Sequence, residues 1–462
     1  MERKYWNEKI EAMPMDEMRK LQLEKAKKLI KYCYESSPLF YKKKLDNLGI
    51  QPGDIKTWED FRKMPALMGK EDTRIAQEES RRKFGHPFTT YLCCPLEKVT
   101  TICSTSGTTG EPTYYPLTDY DLQVNDEVWA RIYWRAGMRP GDRALHAFGM
   151  SMWILGAPLV RALWNMGVTV IPVGAEAGTA RILQVVDRLR PQWILSTPAV
   201  AEHMIERAPE AIGKEVGELG VKGIICTGAP GAGIPAVRKK ITEAFGCKLF
   251  DSSGGGYGIH HISCDVDEYQ GMHVVSHDYH IWLIDLIDPE TGEPLPEEDG
   301  VIGEGLLTSL DQEASPILKY KWGDMLQILT KPCVCGDTSY RIKILARVDD
   351  MIIVKGVNVY PTAVKDVVNG FVPRTTGEMR LVLDKPGVAV DPPVKVKVEY
   401  GKGVKSNEVE GLGKEIEKQL FEILRFRAAI EFVPPMSLER ASGSTQKGVL
   451  VEKRYMEKGK GE

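Results

Sequence analysis

Along residues 15–36 the apolar positions Met18, Leu21, Ala26, Leu29, Ile30 and Cys33 fall near one face of a helix, with Lys, Arg and Glu between them. Ser36-Ser37-Pro38 stops that helix, and Leu39-Phe40-Tyr41 leads into a short basic one. Residues 54–62 read as another helix, ended by Pro65. Further on the period changes. Short apolar runs at 144–148, 168–173, 193–196, 223–227 and 248–250 read as strands. Helical spacing fills the intervals at 154–165, 180–189, 199–207 and 235–245. Strand and helix in alternation predict parallel α/β sheets, with binding loops where Gly and Pro interrupt the runs.

From residue 281 the spacing is that of short strands at 281–286, 303–308, 326–329 and 339–344, separated by turns such as Pro289-Glu290-Thr291-Gly292. This predicts an antiparallel sheet or barrel-like subdomain. Beyond it, helical patterns near 361–368 and at 407–426 and strand patterns at 394–399 and 429–432 suit a small α+β domain of about one hundred residues. The expected fold class is therefore α/β: a large N-terminal domain of parallel α/β sheets plus a small antiparallel β subdomain, then a small, mobile α+β C-terminal domain. The expected division is 1–346, a hinge at 347–350, and 351–462.

Composition narrows the function classes. A chain of 462 residues, 43% hydrophobic and 27% charged, is expected to form two or three globular domains. A net charge of −3 leaves no basic excess for nucleic acid or an anionic membrane. No run of 18 apolar residues occurs, and the start has no apolar leader. Nine cysteines without such a leader are expected to be reduced thiols in a cytoplasm.

The richest chemistry lies in Ser104-Thr105-Ser106-Gly107-Thr108-Thr109-Gly110-Glu111-Pro112-Thr113. A hydroxyl- and Gly-rich loop has little side chain for a core but many N–H and O–H donors to close around phosphate oxygens. It is not a Walker loop, because no Gly-Lys-Ser/Thr follows. The bland alternative for the loop taken alone is a flexible Ser/Gly surface loop. A second constellation is Cys333-Val334-Cys335-Gly336 with Cys264 and His273, a Cys₃His set suited to structural Zn²⁺. The bland alternative is buried free cysteines.

The order of the motifs resembles the phenylacetate–CoA ligase branch of the adenylate-forming enzymes. The resemblance is carried by Ser37-Pro38-Leu39-Phe40-Tyr41, the Ser/Thr/Gly loop, Tyr320-Lys321-Trp322-Gly323-Asp324, and Arg347-Val348-Asp349-Asp350-Met351-Ile352-Ile353-Val354-Lys355-Gly356-Val357-Asn358-Val359-Tyr360-Pro361. It implies a two-step reaction using ATP, Mg²⁺ and coenzyme A: a carboxylate attacks the α-phosphate, and a thiol then displaces AMP. It further implies nucleotide contacts from Ser104 to Gly110, from Gly228, Ala229 and Pro230, from Asp251, Ser252 and Ser253, and from Asp324 and Arg347. Asp324, which alone could be a turn residue, becomes the acceptor for the ribose hydroxyls. Asp349 becomes the hinge about which the small domain swings. Lys447, in Ser442-Gly443-Ser444-Thr445-Gln446-Lys447-Gly448, becomes the adenylating lysine, with Lys453 a poorer second choice, and Arg347 its partner in catalysis. Lys355, Gly356 and Val357 become the lining of the pantetheine tunnel.

Two departures from the family stand out. Its Tyr-Gly-x-Ser/Thr-Glu is replaced by Asp251-Ser252-Ser253-Gly254-Gly255-Gly256-Tyr257-Gly258-Ile259-His260-His261, and its Gly-Ala-Glu-Pro by Gly228-Ala229-Pro230-Gly231. A carboxylate is lost at each place. Either other groups hold Mg²⁺ and activity persists, or the loop is reshaped for an unusual acid that meets His260 or His261, or adenylation is weak. The two histidines read equally as a polar loop pair, or as one buried, hydrogen-bonded histidine. Phe148, Trp153 and Tyr257, with the two histidines, form the expected acyl pocket, although an aromatic and Met stripe is more often core than pocket. The leading reading is an AMP-forming acid–CoA ligase acting on an aryl or arylacetic acid, by analogy a homodimer. The rivals are an adenylating enzyme with another acceptor and a catalytically weak nucleotide- or acyl-binding homologue.

Overall fold

The structure, a computed structural model, describes residues 4–105, 112–229, 231–254, 260–266, 268–281, 285–337, 339–348, 350–385, 387, 389–405, 407–439 and 449–457. The first long helix runs Met15–Ser36 and buries Met18, Ala26, Leu29, Ile30 and Cys33, the stripe its spacing predicts. The helix expected over 54–62 is shorter, Trp58–Lys63, preceded by a separate turn Pro52–Asp54. The reason is a capping box: Thr57 N donates to Asp60 at 2.8 Å, and Asp60 N donates back to the Thr57 hydroxyl at 3.1 Å.

The strands Arg143–His146, Thr169–Pro172, Trp193–Ser196, Gly223–Thr227 and Lys248–Gly254 pair in parallel. Their alternate residues feed two separate cores: Ala144, Leu195, Ile225 and Phe250 on one face, Leu145, Ile194, Ile224 and Leu249 on the other. Both faces are covered, which is why these strands read as unbroken apolar runs.

The antiparallel strands are present but do not stand apart. From Lys248–Gly254 the same sheet continues through His260–Ser263, Met272–Val274, Arg341–Arg347, Tyr320–Leu329, Ile302–Ser309 and His280–Ile281, and Leu286–Ile287 pairs with Ile302–Ser309 beside that path, giving a twelve-stranded sheet. The junction is the antiparallel pairing of Ser252 with Ile262, which satisfies a sheet edge that would otherwise lie open.

The C-terminal part has its own core, built from Val364, Val368, Met379, Leu381, Val396, Val398, Ile416 and Leu420 among others. Helices Pro361–Asn369 and Val409–Leu424 pack there with a sheet ordered Ala428–Val433, Val394–Tyr400, Thr375–Leu383, Val451–Lys453. Thr375–Leu383 escapes a sequence reading because Gly377, Glu378 and Arg380 break its alternation; Arg380 is nonetheless buried.

Candidate active site

The Ser/Thr/Gly loop closes an antiparallel hairpin of Val99–Ser104 and Tyr114–Thr118. Ser106, Gly107, Thr108, Thr109, Gly110 and Glu111 lie outside the described residues. The base of the loop is fixed: Thr105 N donates to Thr113 O at 3.0 Å, and Thr113 N donates to the Thr105 hydroxyl at 3.1 Å. Ser104 N donates to Met152 O at 2.8 Å, tying the hairpin to the segment that follows strand Arg143–His146.

That segment carries Phe148 and Trp153. Phe148 is buried and meets Trp153 edge to face, 5.7 Å between ring centres. The Trp153 ring lies on Gly228, where a Cβ would sit 2.8 Å from it. Gly228 also has φ +86°, so both space and backbone require glycine. Ala229 follows it, half-buried, and Pro230 lies outside the described residues. The Ser/Thr/Gly hairpin, the Phe148–Trp153 segment and the loop after Gly223–Thr227 thus meet beyond the carboxyl ends of the parallel strands, where open α/β sheets bind ligands.

Asp251, Ser252 and Ser253 sit on the neighbouring strand. Ser252 donates its hydroxyl to His261 O at 2.9 Å, a bond within the sheet. Ser253 is half-buried opposite His261. The Asp251 carboxylate accepts from the Tyr269 hydroxyl at 2.6 Å, and burial raises its pKa to about 6 against the pull of Tyr269 and Arg238. His260 and His261 are not a polar loop pair: both are fully buried and open the strand His260–Ser263. His260 meets the face of Trp129 edge-on at 4.2 Å. Burial first, and then His260, His277 and His280, hold the His261 pKa well below the ordinary histidine value. Tyr257 lies outside the described residues.

Asp324 and Arg347 face each other across adjacent antiparallel strands. Arg347 Nη1 donates to Asp324 Oδ1 at 3.0 Å and to Trp322 O at 3.1 Å. Gly323 lets it in, since a Cβ there would lie 2.7 Å from Arg347 Nη2. Asp324 keeps 12% of its side chain exposed and Arg347 keeps 46%, so the guanidinium is reachable from solvent while the carboxylate is largely covered. Farther along, Lys355 (φ +50°) and Gly356 (φ +81°) make the two-residue turn of the hairpin Ile352–Val354 and Val357–Val359. Both turn residues are exposed, and Val357 is half-buried beside them. Asp349 and Lys447 lie outside the described residues. Lys453 is paired with Asp350 at 2.9 Å.

The structure gathers the sulfur–histidine set. The ligating atoms of Cys264, His273, Cys333 and Cys335 all lie within 4.8 Å of one another. Burial lowers the His273 pKa to about 4, which keeps the ring neutral, the form that ligates metals. Its Nε2 faces Cys335 Sγ at 3.5 Å, while Nδ1 meets the Ser339 hydroxyl at 2.9 Å and the Asp337 carboxylate at 3.6 Å. Asp337 is held in turn by Arg135 at 2.8 Å. An imidazole oriented by a hydroxyl and a carboxylate, with its other nitrogen on three thiols, is the outer shell that tetrahedral sites use.

Two groups escaped sequence reasoning. Tyr269 gave no signal of its own. Glu202 and Lys365, which meet at 3.5 Å between the large and small parts of the chain, look like ordinary helix-surface charges in sequence.

Residues 46–309 match the family model of the AMP-binding enzymes, and residues 356–454 match that of the AMP-binding enzyme C-terminal domain. The chain is 32% identical to a phenylacetate–coenzyme A ligase of Thermus thermophilus, over 96% of this chain and 98% of that one. It is 29% identical to the phenylacetate–coenzyme A ligase of Aromatoleum evansii, over 96% of each. Among solved structures, 2-hydroxyisobutyryl-CoA ligase in its postadenylation state with an acyl-AMP superimposes with a TM-score of 0.87 at 25% identity, covering 99% of this chain and 95% of that one. The same ligase with acyl-AMP and CoA in its thioesterification state gives 0.68 at 25% identity, covering 99% and 94%. With these relatives across its whole length and the nucleotide-side loops converging as described, the chain belongs to the AMP-binding enzyme family, as a phenylacetate–coenzyme A ligase-like, adenylate-forming acid–CoA ligase.

Proposed function

We propose that this acid–CoA ligase activates an aryl or arylacetic acid. The observation that carries the acid class is the Phe148–Trp153 pair laid against Gly228, an apolar aromatic wall beside the phosphate hairpin. The phenylacetate ligases among its relatives agree with it.

The residues divide the work as follows. Ser104 to Gly110 cradle phosphate oxygens with backbone and hydroxyl donors. Gly228, Ala229, Pro230, Asp251, Ser252 and Ser253 flank the base, with Ser252 acting through its sheet bond to His261 rather than by a free hydroxyl. The ionised Asp324, steadied by Arg347, accepts from the ribose hydroxyls, and the half-exposed guanidinium reaches toward the α-phosphate. The acid's carboxylate oxygen attacks the α-phosphorus, pyrophosphate leaves, and Lys447 from the C-terminal domain neutralises the charge that develops. The thiol of CoA, led in past Lys355, Gly356 and Val357, then attacks the acyl carbon and AMP leaves. His260 and His261, both buried and the second held neutral by burial, with Tyr257 form the floor of the acyl pocket. Mg²⁺ is carried by the triphosphate and water, since the 251–261 segment has no glutamate. Zn²⁺ on Cys264, His273, Cys333 and Cys335 is structural, because four protein ligands leave no open position. We assign the domains as 1–346 and 351–462 about a hinge at 347–350 with Asp349 as pivot; the separate C-terminal core supports that division. The higher TM-score against the postadenylation state supports reading this conformation as the adenylating one. The setting is the cytoplasm, consistent with reduced cysteines, and the assembly a homodimer.

The test is ATP–pyrophosphate exchange against a panel of aryl, arylacetic and short aliphatic acids, with and without CoA. Exchange confined to aromatic acids, followed by CoA-dependent release of AMP, is expected. Exchange only with aliphatic acids would overturn the acid class. Exchange without CoA-dependent turnover would point to another acceptor.

A further inference from the structure

The loop from Cys264 to His273 is pinned at both ends by members of the sulfur–histidine cluster. Between those ends it carries Tyr269, which touches both nucleotide-side segments. Its hydroxyl donates to Asp251 Oδ2 at 2.6 Å. Its ring fills the space over Gly233, where a Cβ would come within 2.8 Å of Tyr269 Cζ and 2.9 Å of Asp251 Oδ2. The ring also lies between two cations, Arg238 on one helix and Lys343 on strand Arg341–Arg347, each 5.9 Å from its centre. Burial, and then Asp251, hold the Tyr269 pKa well above the ordinary tyrosine value, so the hydroxyl stays a donor. The far end of the loop is as tightly seated: Gly271 has φ +83°, and a Cβ there would lie 2.8 Å from Ile342 O.

We propose that Tyr269 is a positioning residue for ATP, and that the metal-bound Cys264–His273 clasp works through it to set the Asp251 carboxylate and the Gly233 loop at the nucleotide site. The cluster then has a second consequence besides stability: the affinity for ATP depends on it. The clasp acts at a distance: the Tyr269 hydroxyl and ring carry its position to the Asp251 carboxylate and to Gly233, beside the backbone bond of Asp251 N to the Ser263 hydroxyl at 2.9 Å. This rests on the reading of Asp251 as part of the nucleotide site.

The experiment measures ATP binding by calorimetry, and KM and kcat in pyrophosphate exchange, for the full-length protein and for Tyr269→Phe, Asp251→Asn, Cys335→Ser and the double variant Tyr269→Phe/Cys335→Ser. Loss of a charge-assisted bond predicts about tenfold weaker ATP binding in Tyr269→Phe, carried in KM, with kcat within about twofold and the melting temperature nearly unchanged. Cys335→Ser, which removes the exposed ligand, should lose metal and weaken ATP binding to a similar degree. The double variant should lose clearly less than the sum of the two single losses, because both act on the setting of the Asp251 carboxylate. If Asp251→Asn weakens ATP binding and Tyr269→Phe does not, the positioning role is overturned and the nucleotide reading stands. Unchanged ATP affinity in both overturns the role and that reading together. Metal loss in Cys335→Ser with ATP affinity intact overturns the clasp.

Discussion

Around Tyr269, three segments meet in contacts so close that a methyl group at Gly233 would strike both Asp251 and the tyrosine ring. At the seam between the large and small parts of the chain the contacts are of another kind. Glu202 stands between Lys365 at 3.5 Å and Lys240 at 3.2 Å, and Lys365 also reaches Glu378 at 3.4 Å. Asp366 accepts from Ala236 N at 3.3 Å, and Thr362 donates to Leu345 O at 2.7 Å. The apolar clusters do not merge across this seam: the two cores of the large part include no residue beyond Ile342, and the third begins at Ile352. Separating an apolar seam would strand hydrophobic surface in water; separating charges lets them rehydrate. The first region suits the holding of one geometry, and the second suits the domain movement proposed above for the two half-reactions.

The sharpest way to break the comparison is to remove what the moving domain delivers. Lys447→Ala should slow acyl-AMP formation by about 100- to 1,000-fold while leaving thiol transfer from supplied acyl-AMP nearly intact. Single-turnover assays of each half-reaction decide it, and an equal loss in both would refute the assignment of Lys447.

A smaller effect is expected at the seam itself. Burial works against the charged Lys365, but Glu202 and Glu378 outweigh it and raise its pKa above the ordinary lysine value, so the ammonium is held by its partners. Glu202→Gln removes one of them. The adenylating pose should lose about tenfold in population, with pyrophosphate exchange falling accordingly and thioester formation from acyl-AMP unchanged or faster. If exchange is unaffected, Glu202 is no latch.

The static region is probed by Cys333→Ser. The expected result is lost zinc and a melting temperature lower by about 5 °C, measured by metal analysis and calorimetry. Zinc stoichiometry that does not change would exclude this ligand set.

What the sequence made legible follows from how local each signal is. The parallel strands announce themselves because both of their faces are buried, as Ala144 and Leu145 are. The Cys333-Val334-Cys335 turn and the Asp324 and Arg347 blocks are contiguous, so their chemistry can be read in one place. The four cluster members come from distant segments, yet cysteine and histidine are rare enough to be paired by type. Tyr269 and Glu202 had no such help: their roles arise where the sheet and the docked helix bring them, and neither residue type is unusual. The antiparallel strands expected at 303–308, 326–329 and 339–344 were legible as strands, whereas His260–Ser263 and Met272–Val274 were not, and that all of them extend the parallel sheet depends on the pairing of Ser252 with Ile262, which no local pattern encodes. His260-His261 reads as polar in sequence and is interior in the fold because Trp129 supplies an aromatic face for His260.

The finest test uses protons, because Asp251 couples stability and binding in opposite directions. Burial raises its folded pKa to about 6 from the ordinary 3.8. A raised carboxyl pKa favours the protonated form on folding. Its contribution to stability is therefore complete below 3.8 and lost as pH rises through 6. Binding runs the other way: the ionised carboxylate is the stronger acceptor for the Tyr269 hydroxyl and the better-defined partner for the nucleotide. As pH falls from about 7 to about 5, KM for ATP should rise about threefold, with its midpoint near the Asp251 pKa. In Asp251→Asn that pH dependence should vanish, and KM should sit near the low-pH value throughout. A profile that keeps its midpoint in Asp251→Asn would assign the titration to another group and leave the rigid side of the comparison without its charged member.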